Sequence, residues 1–430
     1  MNGLIWFRND LRILDNEAVA QATKNCSTVI GVYCFDPKHY ALNEYGFKKT
    51  EQFRAKFLIE SIQELRENLS KYDIPLFVYI DTSENRIPHL ISTYNITHLF
   101  SQKEWTSEEL NTQNSVQKLL SADIIWETHY DQFLYHPEDI PIKIESIPPV
   151  FTGFRKKVEK YASVRPLATI NKQFYQEAIE NKTKIPSLQD LGFKDFEQPT
   201  HTAFPYKGGE NSGLKRVQQY IWESQKIAFY KKTRNGLLGT DYSSKFSAWL
   251  ANGSISAKTI YNEIKKFERE ITKNDSTYWL IFELIWRDFF KYISLKHHNA
   301  IFKIDGILNT DYQWSTNTDD INKWINGETG KAFVDSNMIE LQQTGWMSNR
   351  GRQNVASYFA KELEIDWRIG ASYFEAMLID YDVHSNYGNW MYVSGVGNDP
   401  RNRKFNVDLQ AERYDPQGKY QRLWLQPKLL

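Results

Sequence analysis

The stretch Gly3-Leu4-Ile5-Trp6-Phe7, followed at once by Arg8-Asn9-Asp10, opens the chain with a short apolar run of strand length. Helical patterns separate such runs, most clearly over Glu51–Tyr72, where apolar side chains recur on one face. The further strand-like runs are Val29–Phe35, Leu76–Ile80, Thr97–Phe100 and Asp123–Glu127. Strands that alternate with helices predict a doubly wound parallel sheet, the α/β class.

Ligands of such sheets bind beyond the carboxyl ends of the strands. The turn after the first strand is Arg8-Asn9-Asp10, which lacks the glycines of a dinucleotide-binding fingerprint. A nucleotide-activating ligase would also join an α/β domain to helices. It would need a phosphate loop or a His/Lys signature after the first strands, and the sequence has neither.

The chain of 430 residues exceeds the size at which one core usually stops growing, so we expect two domains. Four prolines between His136 and Val150 end the first pattern, and every pattern from Leu214 onward is helical. We therefore expect an α/β domain over 1–135, a connector over 136–213 and an all-α domain over 214–430. The candidate helices of the last part are Leu214–Lys232, Ser256–Glu270, Tyr278–His297, Thr318–Asn326, Lys331–Thr344, Asn349–Glu364 and Gly370–Ile379.

Composition excludes several classes of protein. Lys plus Arg equals Asp plus Glu, at 53 each, so DNA binding would need a local basic patch. No Cys/His spacing is typical of a zinc site, and we expect no metal. Met1–Phe7 is not a signal peptide, and Trp279–Phe290 is too short and too charged to cross a bilayer. A cytoplasmic protein without membrane contact is the expectation.

The segment from Asp380-Tyr381-Asp382 to Trp390 combines carboxylates, amides, a glycine and aromatic residues at a helix end. One interpretation is a helix stop, with Asp and Asn as turn formers. The other is a loop that holds a planar, hydrogen-bonding ligand. Both interpretations stay open on the residues alone.

The segment Trp346–Gln353 predicts a helix start with an unusual charge pattern. Ser348 can cap the helix, and Arg350 and Arg352 then fall in its first turn, where positive charge opposes the helix dipole. An anion, either a phosphate or a carboxylate, would remove this conflict. The hydroxyl cluster of Tyr242–Ser247, with its one lysine, is in turn suited to a pyrophosphate.

Glu283 and Trp286 are three residues apart, so they share one helix face. An acid beside an indole suits a nucleobase, because the ring stacks and the acid bonds to the base edge. The simpler interpretation is a helical ion pair between Glu283 and Arg287.

These four segments, in their order along the chain, resemble the flavin domain of photolyases and cryptochromes. They are closest to the DASH cryptochrome form. The segments Phe151–Glu159 and Gly395–Arg401 are similar to that form as well. The opening Trp6–Arg12, followed by Asp15-Asn16, is also typical of the family. The resemblance covers essentially the whole chain.

The resemblance implies a U-shaped FAD within the helical domain. It implies a buried Arg352–Asp380 pair beside the isoalloxazine, with Asn386 facing the reactive flavin nitrogen. Twelve positions match the flavin contacts of the family: Tyr230, Ser243, Ser244, Lys245, Phe246, Ser247, Arg287, Asn349, Arg352, Asp380, Asp382 and Asn386.

The resemblance further implies an electron chain and a light-driven activity. The chain would run from Trp390, nearest the flavin, through Trp367 to Trp314 near the surface. The activity would be a photolyase-like carbon–carbon lyase, in which reduced FAD absorbs blue light and splits a cyclobutane pyrimidine dimer in DNA. Residues expected at the dimer are Glu283, Trp286, Asn349, Gln353 and Tyr392, and those expected at phosphates are Arg350, Arg401, Arg403 and Lys404.

Two positions depart from the pattern of enzymes that repair duplex DNA. Gln353 replaces their usual Met, and Tyr392 replaces their usual Trp. Extraction of a base from duplex DNA costs a few kcal/mol, and the cost is lowest for bases that are already unpaired. A more polar pocket compensates less of this cost, so the two residues predict a preference for single-stranded DNA. A blue-light sensor or DNA-binding transcriptional regulator with little repair activity is the alternative.

The family often carries an antenna pigment, commonly 5,10-methenyltetrahydrofolate in the DASH branch. Glu104, Glu108 and Glu109 lie in the matching region after the fourth strand. Acidic residues there also suit a simple helix start. We expect a folate antenna and a monomeric protein.

Overall fold

The computed structural model describes residues 1–425. Its amino-terminal part contains a five-stranded sheet with the order β3-β2-β1-β4-β5, and every pair of neighbours is parallel. The strands are β1 (Asn2–Trp6), β2 (Thr28–Cys34), β3 (Leu76–Tyr79), β4 (His98–Gln102) and β5 (Ile125–His129). All five predicted strands are confirmed, each within two residues of the expected bounds.

Helices cover both faces of the sheet. They are α1 (Glu17–Asn25), α2 (Gln52–Ser70), α3 (Ser83–Thr93) and α4 (Ser107–Gln117). One buried cluster joins Ile5 and Phe7 to Leu65 of α2, and a second joins Leu4 and Trp6 to Leu90 of α3. The chain order reverses beside β1, so a crevice forms where the carboxyl ends of β1 and β4 diverge.

The segment after β5 lies along the sheet before it reaches the helices. It contains α5 (Phe151–Tyr161). Gln176 then hydrogen-bonds both the amide and the carbonyl of Val29, so this irregular stretch is tied to β2. The next helix begins at Glu210, and the domain boundaries at 135 and 213 stay a prediction.

The rest of the described chain is helical. The elements are α6 (Glu210–Val217), α7 (Tyr230–Thr233), α8 (Ser247–Ala251), α9 (Ala257–Glu270), α10 (Asp275–His297), α11 (Thr318–Asn326), α12 (Ala332–Thr344), α13 (Asn349–Ser357), α14 (Trp367–Met377), α15 (Val383–Ser394), α16 (Val407–Tyr414) and α17 (Lys419–Leu425). Local capping fixes several starts, since Ser256 caps α9 and Asn274 forms a capping box on α10. The fold class is confirmed.

Two predicted helices are shorter than expected. The helix predicted over Leu214–Lys232 passes from α6 into a π-helical turn and is then interrupted at Gln225, whose φ of 51° is left-handed. The helix predicted over Asn349–Glu364 likewise leaves α-helical geometry after Ser357 and ends in a π-helical turn. Apolar periodicity cannot distinguish such turns from an α-helix, because the apolar face stays continuous.

The segment Asp380–Trp390 starts a helix, so its interpretation as a helix stop is wrong. Asp382 caps α15 by accepting a hydrogen bond from the amide of Ser385 at 2.8 Å. Gly388 lies within α15, and its lack of a side chain lets α10 pack close to it. A Cβ added there would lie 2.3 Å from Phe290. Among residues 1–425, no helix is long and apolar enough to cross a membrane.

Candidate functional site

A cavity of about 250 Å³ lies among the helices of the carboxyl-terminal part. It is enclosed by the loop before α8, one face of α10, the start of α13 and the turn before α15. Eleven of the twelve residues predicted to contact a flavin line it: Tyr230, Ser243, Ser244, Lys245, Phe246, Ser247, Arg287, Asn349, Arg352, Asp380 and Asp382.

A smaller cavity of about 110 Å³ adjoins the first and holds the twelfth residue, Asn386. Five residues line both cavities: Asn349, Arg352, Asp380, Asp382 and Ser385. The two are therefore parts of one recess, which we call the flavin cavity. The structure thus brings together residues that are spread over more than 150 positions of the sequence.

The charge conflict at the start of α13 is resolved by a carboxylate. Ser348 caps the helix as predicted, accepting a hydrogen bond from the amide of Gly351 at 3.0 Å. Arg352 donates to Asp380 at 2.9 Å and to the carbonyl of Met347. The expected pair is formed, with the Asp380 side chain 4% exposed. It presents fixed donors and acceptors to a planar ligand.

The hydroxyl loop Tyr242–Ser247 is shaped by Arg216, which the sequence did not single out. This buried guanidinium donates to the carbonyls of Ser243 and Ser244 and so holds the loop from behind. Lys245 lines the cavity, but its Nζ lies 3.3 Å from the ring centroid of Tyr242. The loop therefore offers hydroxyls and backbone to a phosphate while the lysine charge rests on an aromatic face.

The wall of the flavin cavity that contains Asp382 and Asn386 is formed by the start of α15. Asp382 receives a hydrogen bond from Lys291 Nζ at 2.8 Å, and the Asn386 side chain donates to the carbonyl of Ala371. Burial raises the pKa of Asp382, but Lys291, with His384, lowers it far below its usual range. Asp382 is therefore a fixed anion at the cavity wall.

The donor set fits a flavin nucleotide. The indole Nε1 of Trp390 is buried in this cavity wall and has no hydrogen-bond partner among the described residues. The recess combines this donor with the Arg352–Asp380 pair, an amide at Asn386 and the hydroxyl loop. A planar ring with polar edges and a phosphate arm would match each of these groups.

The three predicted electron-transfer tryptophans lie in or beside α14 and α15, and Trp390 lines the flavin cavity. Trp390 rests on Gly370 of α14, where an added Cβ would lie 2.3 Å from the indole. Trp367 is the first residue of α14, one turn earlier. The residue after Trp314 forms a parallel bridge with Ile365, which places Trp314 beside the start of α14. Electron transfer along this series stays a prediction.

The residues expected at a pyrimidine dimer are only partly brought together. Asn349 and Glu283 line the large cavity, and Gln353 lines the small one. Trp286 lines neither: it stacks on Phe151 with a centroid distance of 3.7 Å, and Tyr392 meets its ring edge-on at 6.0 Å. Trp286 and Tyr392 thus form an aromatic rim beside the cavity.

Glu283 forms an ion pair that the sequence did not predict. Its partner is Arg234, at 2.9 Å, and the expected alternative of a helical pair with Arg287 is not formed. Arg287 donates instead to the carbonyl of Leu250. The Glu283 side chain is 28% exposed, so the cavity reaches solvent beside it. Burial raises the pKa of Glu283, and Arg234 opposes this.

The residues expected at DNA phosphates lie on two surfaces. Arg401, Arg403 and Lys404 are exposed in the loop after α15. Lys404 pairs with Glu362, whereas Arg350 donates to Asn235 at 3.1 Å and stacks on Tyr414. Arg350 is therefore held in place on α13, while the loop presents its cationic side chains to solvent.

A second cavity, of about 310 Å³, lies between the α/β part and the helices, and we call it the interdomain cavity. The predicted antenna residues Glu104, Glu108 and Glu109 all line it. It opens at the crevice of the sheet, since Asn9 and Gln102 follow β1 and end β4. This is where the strand order predicts a ligand.

Charge is distributed unevenly around this cavity. Glu108 forms ion pairs with Lys49 and His39, which lower its pKa although burial raises it. Glu104 is 5% exposed, and burial raises its pKa to about 7 although Arg8 opposes this. No described residue forms an ion pair with Glu104, and among residues 1–425 no cluster of metal ligands is present.

Comparison with known proteins agrees with this geometry. The family profile for DNA photolyase matches residues 3–172, and that for the FAD binding domain of DNA photolyase matches residues 279–429. Cryptochrome DASH of Gloeobacter violaceus (strain ATCC 29082 / PCC 7421) is 44% identical over 424 residues, which cover 98% of this chain and 85% of that protein.

Two solved structures share the whole architecture. A Synechocystis sp. PCC6803 cryptochrome has a TM-score of 0.95 and 43% identity, over 99% of this chain and 88% of that chain. The archaeal photolyase from Sulfolobus tokodaii, described with two FAD molecules and the implication of a novel light-harvesting cofactor, has a TM-score of 0.79 and 26% identity, over 99% of this chain and 90% of that chain. The chain belongs to the photolyase/cryptochrome family, in its DASH cryptochrome branch, and is an FAD-binding flavoprotein.

Proposed function

We propose that this protein repairs cyclobutane pyrimidine dimers under blue light, with a preference for single-stranded DNA. The observation that carries the proposal is the solvent-facing edge of the flavin cavity. Glu283 and Asn349 line the cavity at this edge, and the aromatic rim of Trp286 and Tyr392 lies beside it. A flipped pair of pyrimidines would therefore have polar partners and a flat surface next to the cofactor.

The chain supplies position and electrostatics for the cofactor. Reduced FAD, when bound and excited by blue light, supplies the electron that opens the cyclobutane ring. Arg352 and Asp380 would hold the edge of the ring system, and the hydroxyl loop would hold the phosphates. Asn386 is oriented by its bond to Ala371, so its amide is fixed before a ligand arrives.

Glu283 would accept or share a proton with the pyrimidine edge. Its pairing with Arg234 keeps the carboxylate oriented at the rim, and burial, which raises its pKa, makes a shared proton less costly. Arg350 and the exposed loop with Arg401 and Arg403 would hold phosphates on either side. These contacts are sequence-independent, as repair of any dimer requires.

The preference for single strands rests on the rim. Tyr392 presents a phenol edge to Trp286, and Gln353 places an amide in the cavity wall. This surface offers less apolar area to stabilise a base pulled from a duplex, and that extraction costs a few kcal/mol. An unpaired dimer avoids most of the cost.

We further propose that the interdomain cavity binds an antenna, 5,10-methenyltetrahydrofolate. The cavity offers carboxyl groups at Glu104, Glu108 and Glu109, and its volume exceeds that of the larger part of the flavin cavity. The archaeal photolyase from Sulfolobus tokodaii, described with two FAD molecules and the implication of a novel light-harvesting cofactor, is a relative in which a second site for a light-absorbing molecule is indicated. A monomeric state and a cytoplasmic location stay predictions.

The test is loss of dimer from an oligonucleotide. Reduced protein is mixed with a 5′-labelled oligonucleotide that bears one thymine dimer, as a single strand or annealed, and illuminated with blue light. We expect the single strand to be repaired at least about tenfold faster, the ratio that 1.4 kcal/mol of extraction cost would give. The double variant Gln353→Met, Tyr392→Trp should bring the repair rates on single-stranded and duplex DNA closer together.

Two outcomes would contradict the proposal. Equal rates on both substrates would remove the strand preference. Absence of dimer loss from single strands, in protein that still holds its reduced flavin, would leave the sensor interpretation in place of repair.

A further inference from the structure

A buried ion pair connects the two cavities. Lys291 lines the interdomain cavity, and Asp382 lines that cavity and both parts of the flavin cavity. Their side chains are 3% and 12% exposed, and Lys291 Nζ lies 2.8 Å from Asp382 Oδ2. One charged contact therefore lies between the two cavities.

The Asp382 end of this contact sets the first turn of α15. One carboxylate oxygen accepts from Lys291, and the other accepts from the amide of Ser385 at 2.8 Å. The carbonyl of Asp382 also accepts from the amide of Asn386 at 2.8 Å. Asn386, the residue expected at the reactive flavin nitrogen, therefore lies one helical turn from the Asp382 carboxylate.

The Lys291 end is accessible to a ligand of the interdomain cavity. An ammonium group has three donors, and in this structure one of them is used by Asp382. A carbonyl or carboxylate that enters the cavity can accept from the others. Lys49, the other lysine that lines this cavity, is instead held by two carboxylates, Glu108 and Glu375.

We propose that Lys291 is a positioning residue that couples the two cavities: an acceptor bound in the interdomain cavity draws the ammonium from Asp382 and thereby makes the flavin harder to reduce. The physical reason is charge. Asp382 stays ionised because Lys291 compensates it, and withdrawing that compensation leaves more negative charge beside a cofactor that gains negative charge on reduction. This inference rests on the proposed flavin and antenna sites and adds an energetic link between them.

The coupling is reciprocal by thermodynamic necessity. A ligand that binds the interdomain cavity more tightly when the flavin is oxidised must also favour the oxidised flavin. Reduction of the flavin would then weaken the antenna by the same factor. The coupling acts through one contact and requires no movement of a domain.

The experiment measures the midpoint potential of the bound flavin without DNA, by spectroscopic redox titration. The proteins are the wild type, Lys291→Met, Lys291→Arg and the double variant Lys291→Met, Asp382→Asn. Asn is as good a helix cap as Asp, so the double variant keeps the start of α15 while it removes both charges. Because no repair is measured, failure of the proposed repair activity would not affect the result.

We expect Lys291→Met to raise the ratio of oxidised to reduced flavin at a fixed solution potential by about tenfold, the effect of one uncompensated charge at the cavity wall. Lys291→Arg should restore the wild-type ratio, and so should the double variant. In the wild type, saturation with 5,10-methenyltetrahydrofolate should shift the ratio in the direction of Lys291→Met. In Lys291→Met the same addition should produce no shift.

Three results would overturn the inference. One is an unchanged potential in Lys291→Met that retains flavin. Another is a double variant that stays as hard to reduce as the single variant, because the cause would then be disruption of α15. The third is an equal shift on folate binding in the wild type and in Lys291→Met. If Lys291→Met fails to fold, Lys291→Arg and the double variant still decide the question through the folate-induced shift, which only Lys291→Arg should retain.

Discussion

The flavin cavity and the interdomain cavity differ in whether their carboxyl groups are compensated by neighbouring cations. In the flavin cavity the carboxylates meet cations supplied by the chain: Asp380 meets Arg352, and Glu283 meets Arg234. In the interdomain cavity Glu104 is buried without an ion pair among the described residues, and burial raises its pKa to about 7.

This difference shows two ways to prepare a site. The flavin cavity is preorganised, because its carboxylates are fixed by ion pairs before a ligand binds and need little rearrangement. The interdomain cavity retains a carboxyl group whose protonation state is sensitive near neutral pH. We therefore expect substitutions in the first cavity to act on stability and flavin retention, and substitutions in the second to act through pH.

The largest effect should come from Asp380→Ala. Removal of this carboxylate leaves the partly buried Arg352 without its anion, which should reduce the free energy of unfolding by about 3 kcal/mol, the lower end for a buried pair, since Arg352 is a quarter exposed. The variant should also lose its flavin on gel filtration. Urea unfolding and absorbance of the eluted protein provide the two measurements.

The matched control is the exposed pair of Lys404 and Glu362, whose side chains are about half exposed. Glu362→Ala should cost less than about 1 kcal/mol and leave the flavin bound. If Asp380→Ala proved as mild as this control, the flavin cavity would not be preorganised by its ion pairs.

The sequence predicted the residues that line the flavin cavity better than it predicted the ion pairs between them and neighbouring elements. The strands and the Ser348 cap were correct because short apolar runs and capping residues act locally. The pair of Glu283 with Arg234 was missed, since it depends on the interruption at Gln225 that brings α7 against α10. No local pattern encodes a contact between side chains 49 positions apart.

The start of α15 illustrates the same limit. Gly388 and Asn389 favour a turn by local propensity, so a helix stop was a reasonable interpretation. Packing decides otherwise, because only a glycine allows Phe290 to approach the helix this closely. The identities of the flavin residues came from the resemblance to a family, and the structure shows them around one recess.

Gly388→Ala tests that packing and should have the second largest effect. The new methyl group would lie 2.3 Å from Cδ1 of Phe290, so α10 and α15 must move apart. Overpacking of this kind costs about 1–3 kcal/mol and should also weaken flavin retention, because α15 carries Asn386. Thermal unfolding and flavin absorbance provide the measurements.

Gly153→Ala is the matched control in another helix. Its added methyl would meet Pro148 at 3.2 Å, and the gain in helix propensity of about 1 kcal/mol offsets this contact. Equal unfolding temperatures for the two variants would show that the approach of α10 to α15 is not tight.

Glu104→Gln should have the smallest effect at neutral pH, and it probes the interdomain cavity. The folded-state pKa of Glu104 is raised to about 7 from an ordinary value of 4.5, so the folded protein binds its proton more tightly than the unfolded chain does. The contribution of this group to stability is therefore fully present below about pH 4.5 and is lost as the pH rises through about 7. Gln stays uncharged and keeps an oxygen that can accept the bond from Gln102.

The variant and the wild type should consequently have similar free energies of unfolding at pH 5, whereas at pH 8 the variant should be more stable by on the order of 1–2 kcal/mol. Urea titrations at several pH values measure the difference in the free energy of unfolding between the two proteins. Asp288 and Glu340 are also buried with raised pKa values, but their contributions are the same in both proteins and cancel in this difference. Glu108→Gln serves as the control of opposite sign, because Lys49 lowers the pKa of Glu108 and its loss should destabilise the protein at pH 8. The free energy of unfolding could instead differ between the wild type and Glu104→Gln by the same amount at pH 5 and pH 8. That result would show that a neighbouring cation compensates Glu104, and the contrast between the two cavities would then disappear.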